Sequence, residues 1–255
     1  MYRKSLLCSV FAGLLVFLPL PVSAVTVSWD FSGGLDTKNF TYTTNSNVSL
    51  SYTAGELQLT KPAEWYFQSG NPNPSVQGGF ITSKFYLNGN FDIQVDYKIK
   101  ETPLAHGVQI QLELYSPFYS PSYYSYLVRS NENLSPAQNY HIWKTSIYGT
   151  TAAGDQGTMR VVRTGSDVTF YYKESNDWKT IWKDSNCTGD IRFSLQGQDN
   201  YNIDPTADAF NVSFDNLQVK ADKLVGYVPL PGGLLLLGTG LLGLGAVGLR
   251  QRTRS

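Results

Sequence analysis

Two cysteines and two histidines are all that the 255 residues provide, and this scarcity excludes several kinds of chemistry at once. Cys8 lies in an apolar N-terminal run that reads as a removed segment. Cys187 is then left with no intrachain disulfide partner, so the fold must rest on its core. A catalytic thiol needs an activating base. His106 sits in the turn-like Pro103-Leu-Ala-His-Gly107, and neither it nor His141 has a partner at metal-ligand or triad spacing. There is no HExxH, no CxxC and no phosphate-binding loop. The formal charge is zero, with 20 acidic and 20 basic residues, and no basic patch of the kind that binds nucleic acid. A close pair of carboxylates is missing too. Asp92 and Asp96 stand four residues apart on one strand face, about 13 Å, too wide for the two acids of a glycosidase. Before the C-terminal tail no segment repeats at the helical period.

What the middle of the chain does contain is period-two alternation. Phe91, Ile93, Val95, Tyr97 and Ile99 share one face of 91–100, and Val108, Ile110, Leu112 and Leu114 alternate with Gln109, Gln111 and Glu113. Met159–Arg163 and Val168–Lys173 flank Thr164-Gly-Ser-Asp167, which predicts a hairpin. Further strands are predicted at Val25–Phe31, Glu56–Leu59, Phe80–Leu87, Tyr123–Arg129, Ile142–Tyr148, Lys179–Trp182, Ile191–Gln196 and Phe210–Val219. About a dozen short strands separated by turn residues predict an all-β, antiparallel sandwich.

The two ends carry trafficking signals. Arg3 and Lys4 precede the apolar stretch Ser5–Leu20, and Val22-Ser23-Ala24 closes it with small residues, the three parts of a secretory signal peptide with cleavage between Ala24 and Val25. The other end holds Gly232–Leu249, uncharged and about 27 Å long as a helix, enough to cross a bilayer core. Arg250, Arg252 and Arg254 follow it as a cytoplasmic stop. All 20 acidic residues fall within Val25–Asp222, the asymmetry expected of a membrane-targeted chain. The expected organisation is therefore a signal peptide (1–24), an outer domain (25–222) and a sorting tail (223–255) with a basic end at 250–255.

Val228-Pro229-Leu230-Pro231, the Gly- and Leu-rich helix and the arginine cluster together resemble the PEP-CTERM sorting signal of Gram-negative bacteria, in its Val-Pro-Leu-Pro variant with Leu230 in place of the usual glutamate. The resemblance implies processing by a membrane-embedded exosortase, and association with the cell surface or with exopolysaccharide. Met159–Tyr172, Asp177-Trp178-Lys-Thr-Ile181, Ile191–Leu195 and Phe214–Val219 resemble the concanavalin A-like lectin/glucanase jelly roll. That likeness implies a last strand lying beside the first. It also brings the family habit of a structural calcium near paired terminal strands, with Asp30 and Asp215 as candidate ligands. No other cofactor is expected.

Candidate sugar contacts are aromatic. Tyr115, Phe118, Tyr119, Tyr123 and Tyr124 crowd a proline-held segment, and Trp65 follows Pro62. The expectation is an exported, non-enzymatic protein, membrane-anchored outside the cytoplasm and then at the cell surface or extracellular, that binds polysaccharide. The alternative is a structural matrix component without a specific ligand, and a glycan-active enzyme comes third.

Overall fold

The computed structural model describes residues 24–44, 47–62, 64–65, 78–101, 108–116, 124–131, 139–142, 147–151, 154–199, 206–207 and 209–229. Within them the chain forms strands and turns, with no helix. Gly232–Leu249, expected to cross the membrane, lies outside the described residues.

Two antiparallel sheets face each other. In sheet A the spatial order is β14 (Asp177–Asp184), β13 (Asp167–Glu174), β12 (Gln156–Thr164), β7 (Tyr86–Glu101), β17 (Phe210–Val225), β4 (Glu56–Lys61) and β3 (Ser49–Thr53). The first strand, β1 (Val25–Trp29), joins the free edge of β17 beyond β4, Val25 opposite Ala221 and Trp29 opposite Leu217. Sheet B runs β11 (Ile147–Thr151), β10 (Asn139–Ile142), β9 (Tyr124–Asn131), β8 (Val108–Tyr115), β15 (Arg192–Asp199), β6 (Gly78–Ser83) and β2 (Phe40–Thr44). A two-stranded piece pairs β5 (Glu64–Trp65) with β16 (Thr206–Ala207).

The alternation in the sequence dictates this layering. Phe91, Ile93, Val95, Tyr97 and Ile99 of β7 point into the core, as do Val108, Ile110, Leu112 and Leu114 of β8. Each such side chain, once buried, contributes about 1.5–3 kcal/mol. Gly79 and Gly197 pair across β6 and β15, and Leu59 and Val212 of sheet A pack into the dent that they leave. A Trp29, Phe40, Phe85 and Phe193 cluster closes one end, its rings edge-on or stacked at 4.9–6.2 Å between centroids.

Two predicted strands prove to be two strands each. Phe80–Leu87 divides at Lys84–Phe85, where the chain leaves sheet B as β6 and enters sheet A as β7, with Ser83 Oγ donating to Phe85 O at 3.0 Å. Ile142–Tyr148 divides into the ends of β10 and β11, which form a hairpin. The hairpin over Thr164–Asp167 forms as expected, with Gly165 at φ 63°.

Candidate functional site

Burying one face of β8 forces the other outward. Gln109, Gln111, Glu113 and Tyr115 therefore form a column on the outer side of sheet B. The register sets β15 alongside, giving Gln198, Gln196, Ser194 and Arg192 in the same four rows. On the other flank β9 supplies Val128, Tyr126 and Tyr124 opposite Gln111, Glu113 and Tyr115.

These polar side chains are not loosely solvated. Gln109, Gln111, Glu113, Ser194 and Gln196 are each no more than 8% exposed. Glu113 Oε2 accepts from Ser194 Oγ and Gln196 Nε2, and Gln196 Nε2 also reaches Ser194 Oγ at 2.9 Å. Gln109 Oε1 accepts from Gln111 at 2.9 Å and Gln198 at 3.0 Å. Among the described residues of these three columns, Glu113 is the one carboxylate. A polar network this buried on the solvent side of a sheet needs its partners fixed, because an unpaired buried amide or carboxylate is expensive.

Aromatic rings border the network. Tyr124 is 51% exposed and meets Tyr126 edge-on at 5.4 Å between centroids. Burial, then the charge of Glu113, pushes the Tyr124 hydroxyl above its ordinary range; burial does the same to Tyr126. Both rings therefore stay neutral donors near a carboxylate. Tyr115 is raised by burial while the Arg192 guanidinium pulls it back, and Arg192 itself lies 4.2 Å over the Tyr86 ring. A partly open tyrosine wall beside a row of amides and one carboxylate suits a flat, hydroxyl-rich ring: stacking on one side, hydrogen bonds on the other.

The predicted site residues scatter. Tyr115 and Tyr124 are brought together, opposite each other at the paired ends of β8 and β9. Phe118, Tyr119 and Tyr123 lie outside the described residues, and Trp65 is placed only by its backbone pairing to Thr206. His106 is also outside them, and His141 is known by its backbone position opposite Val128. Ala24 and Val25 stand at the head of β1, and Val228 and Pro229 follow β17; Leu230, Pro231, Arg250, Arg252 and Arg254 are outside the described residues. Asp92 and Asp96 lie on the outer face of sheet A. There Arg160 clamps Asp92 through two hydrogen bonds of 2.8 and 2.5 Å, while Asp96 accepts from Thr158 at 2.6 Å and Asn216 at 2.9 Å. The sequence signal for this column is the two-residue spacing of Gln109, Gln111 and Glu113 on one face of one strand, a pattern that the criterion of paired acids passes over.

Asp30 and Asp215 are neighbours, as the pairing of first and last strands requires. Asp215, but not Asp30, lines a separate groove of about 820 Å³ on sheet A, together with Glu56, Asp96, Lys98, Thr158 and Asn216. Burial raises the Asp215 carboxyl, and the charges of Asp96, Glu56 and Asp30 add to the rise. Asp30 is instead lowered, because Ser32 donates to it from both N–H and hydroxyl. With Asp30 turned onto its own loop, these residues do not fit the six to eight oxygens that calcium takes. No group of three or more metal-binding side chains occurs among the described residues.

No family model and no curated relative matches this chain. Solved structures do match. One, reported with endo-acting O-glycanases of the human gut microbiota that initiate mucin breakdown, is 16% identical, with TM-score 0.51 over 76% of this chain and 97% of its own. LamA from Zobellia galactanivorans, crystallised with laminaritriose and laminaritetraose, is 12% identical at TM-score 0.52, over 78% and 98% of the two chains. Lectin UEA-II, complexed with galactose, is 12% identical at TM-score 0.51, over 77% and 98%. The fold is the concanavalin A-like jelly roll. At these identities the likeness shows the jelly roll alone, and it corrects one expectation. The non-enzymatic reading has no support, since this jelly roll houses glycan-cleaving enzymes as well as lectins. The chain lacks a close acid pair, yet β8 carries one carboxylate, Glu113, among its outward amides.

Proposed function

We propose that this chain binds an extended, neutral polysaccharide across the outer face of β8, β9 and β15. The observation that carries the reading is the buried network of Gln109, Gln111, Glu113, Ser194 and Gln196 lying beside the exposed ring of Tyr124. Tyr124 and Tyr126 stack on sugar rings, the amides donate to ring hydroxyls, and Glu113 accepts from a hydroxyl at the centre. The jelly-roll neighbours that hold laminari-oligosaccharides or galactose support a sugar as the ligand.

The test is a glycan array followed by titration calorimetry of the best ligand. Tyr124→Ala should weaken binding about tenfold, in line with one lost aromatic contact, and Glu113→Gln should weaken it further. No retained glycan, or variants that bind like the parent, would overturn the reading. A reducing-end assay on the same ligand asks whether the bound chain is also cut. Release by the parent and not by Glu113→Gln assigns cleavage to this face, since the acid of a glycosidase acts where the ring binds.

The ends complete the proposal. Met1–Ala24 exports the chain, and an exosortase processes it at Val228–Pro231, with Gly232–Leu249 as the membrane segment. The domain then stays at the cell surface or is released. This is supported by the strand that opens at Val25, directly after the small-residue site, and by a last strand that ends just short of the motif, at Val225.

A further inference from the structure

We infer that Asn39 and the aromatic cluster around it form a binding site for the root of this chain's own tail, and that this site fixes where the tail is cut. The second clause rests on the tail-processing reading; the first does not. Beyond β17, Gly226 turns the chain at φ +83°, and Tyr227 packs edge-on against Trp29 at 6.2 Å and Phe85 at 5.6 Å. Val228 then meets the side chain of Asn39, a residue 189 positions away. Val228 N–H donates to Asn39 Oδ1 at 2.8 Å, and Asn39 Nδ2 donates to Val228 O at 2.7 Å. One side-chain amide thus exchanges both bonds with one residue, as a neighbouring strand's backbone does.

The site is built to hold this pose. Asn39 is fully buried, and its Nδ2 also donates to Asp36 Oδ2 at 2.7 Å, which sets the amide's orientation. Asp36 in turn accepts from Trp29 Nε1 at 3.3 Å and from the backbone N–H of Lys38 at 3.2 Å. The carboxylate therefore ties the clamp to the ring on which Tyr227 rests. Burial of the Tyr227 ring, with the Asp36 charge, raises its hydroxyl above its ordinary range, so it stays neutral.

An enzyme that reads an extended strand binds the backbone N–H and C=O of the residues flanking the cut. Both groups of Val228 are already engaged, and Pro229 has no N–H to offer. Both peptide bonds of Val228 are thus tied up by hydrogen bonds, although the residue is 44% exposed, and the next bond along the chain is Pro229–Leu230. Hydrolysis or transfer at that bond, or beyond it, leaves Val228 and Pro229 on the mature domain.

Hydrogen exchange on the purified full-length chain in detergent reads the clamp directly. The Val228 amide should exchange at least tenfold more slowly than an unstructured amide, and Asn39→Ala should abolish that protection. In the native host, the processed parent should end at or after Pro229, and Asn39→Ala should add species that end before Val228. An unprotected Val228 in the parent overturns the clamp, with no variant needed, so misfolding of Asn39→Ala does not blunt the test. A parent terminus before Val228 overturns it too. A protected Val228 on a tail that is never processed upholds the clamp and refutes the sorting reading.

Discussion

Gly197→Ala tests the register on which the proposed face depends. Gly197 sits between Gln196 and Gln198 in β15 and points inward, where an added Cβ would stand 2.5 Å from Val212 Cγ2 and 3.1 Å from Leu59 Cδ1. Real Cβ atoms do not tolerate the first distance, and both neighbours belong to the opposite sheet, so relief requires the sheets to part or Val212 to leave its rotamer. Overpacking of this kind destabilises by about 1–3 kcal/mol. At about 2–4 °C per kcal/mol for a domain of this size, thermal unfolding followed by circular dichroism should shift downward by several degrees. Val212→Ala should rescue the substitution: the double variant should be at least about 1 kcal/mol more stable than the sum of the two single effects predicts. A neutral Gly197→Ala would mean that β15 is slipped by one residue, which exchanges its faces. Gln196 and Gln198 would then face the core, and the glycan face would not exist.

Three further outcomes follow from the structure. Arg163→Met should destabilise by about 3 kcal/mol in urea titration, because this buried residue's guanidinium donates to Gly89 O and Gly189 O and lies 4.9 Å over the Phe91 ring; Arg163→Lys should recover only part of this. Asp215→Asn should raise stability slightly at neutral pH, by about 0.2–0.5 kcal/mol for relieved like-charge contact. A carboxyl raised in the folded state disfavours folding above its folded pKa, so melting curves of parent and variant should converge as pH falls and the parent's Asp215 takes up its proton. In the native host, Pro229→Ala with Pro231→Ala should leave the protein in the membrane at its full mass after signal removal. Equal mass and location of parent and double variant, seen by mass spectrometry, would make the motif idle.

The sandwich was legible wherever one face of a strand is apolar and the other polar, as in β7, β8 and the β12–β13 hairpin. It was illegible where composition hides the pattern. Phe40-Thr-Tyr-Thr-Thr44 and Ser49-Leu-Ser-Tyr-Thr53 carry too few apolar residues to announce β2 and β3; β2 takes its hydrogen bonds from the non-adjacent β6, and β3 from β4 across the Ala54-Gly55 turn. The passage from sheet B to sheet A at Lys84–Phe85 keeps the same alternation on both sides, so two strands read as one. The candidate face was legible in parts only. Tyr115 and Tyr124 stood out as aromatics. Glu113 did not, because its meaning comes from Ser194 and Gln196, 81 and 83 positions away. The Asn39–Val228 clamp is equally beyond local reading.

The pairing of β1 with β17 also sets a timetable. Among the described residues β1 has no other strand beside it, so the first strand made must wait for the last. At about 5–20 residues per second of synthesis, the wait is roughly 10–40 s. During it Trp29 has no closed core to enter, and β7 and β4 each present an open ladder, since β17 is what lies between them. Closing a loop of this length is also slow in itself. The nascent chain is therefore committed late, with aggregation-prone edges exposed until its final strand arrives.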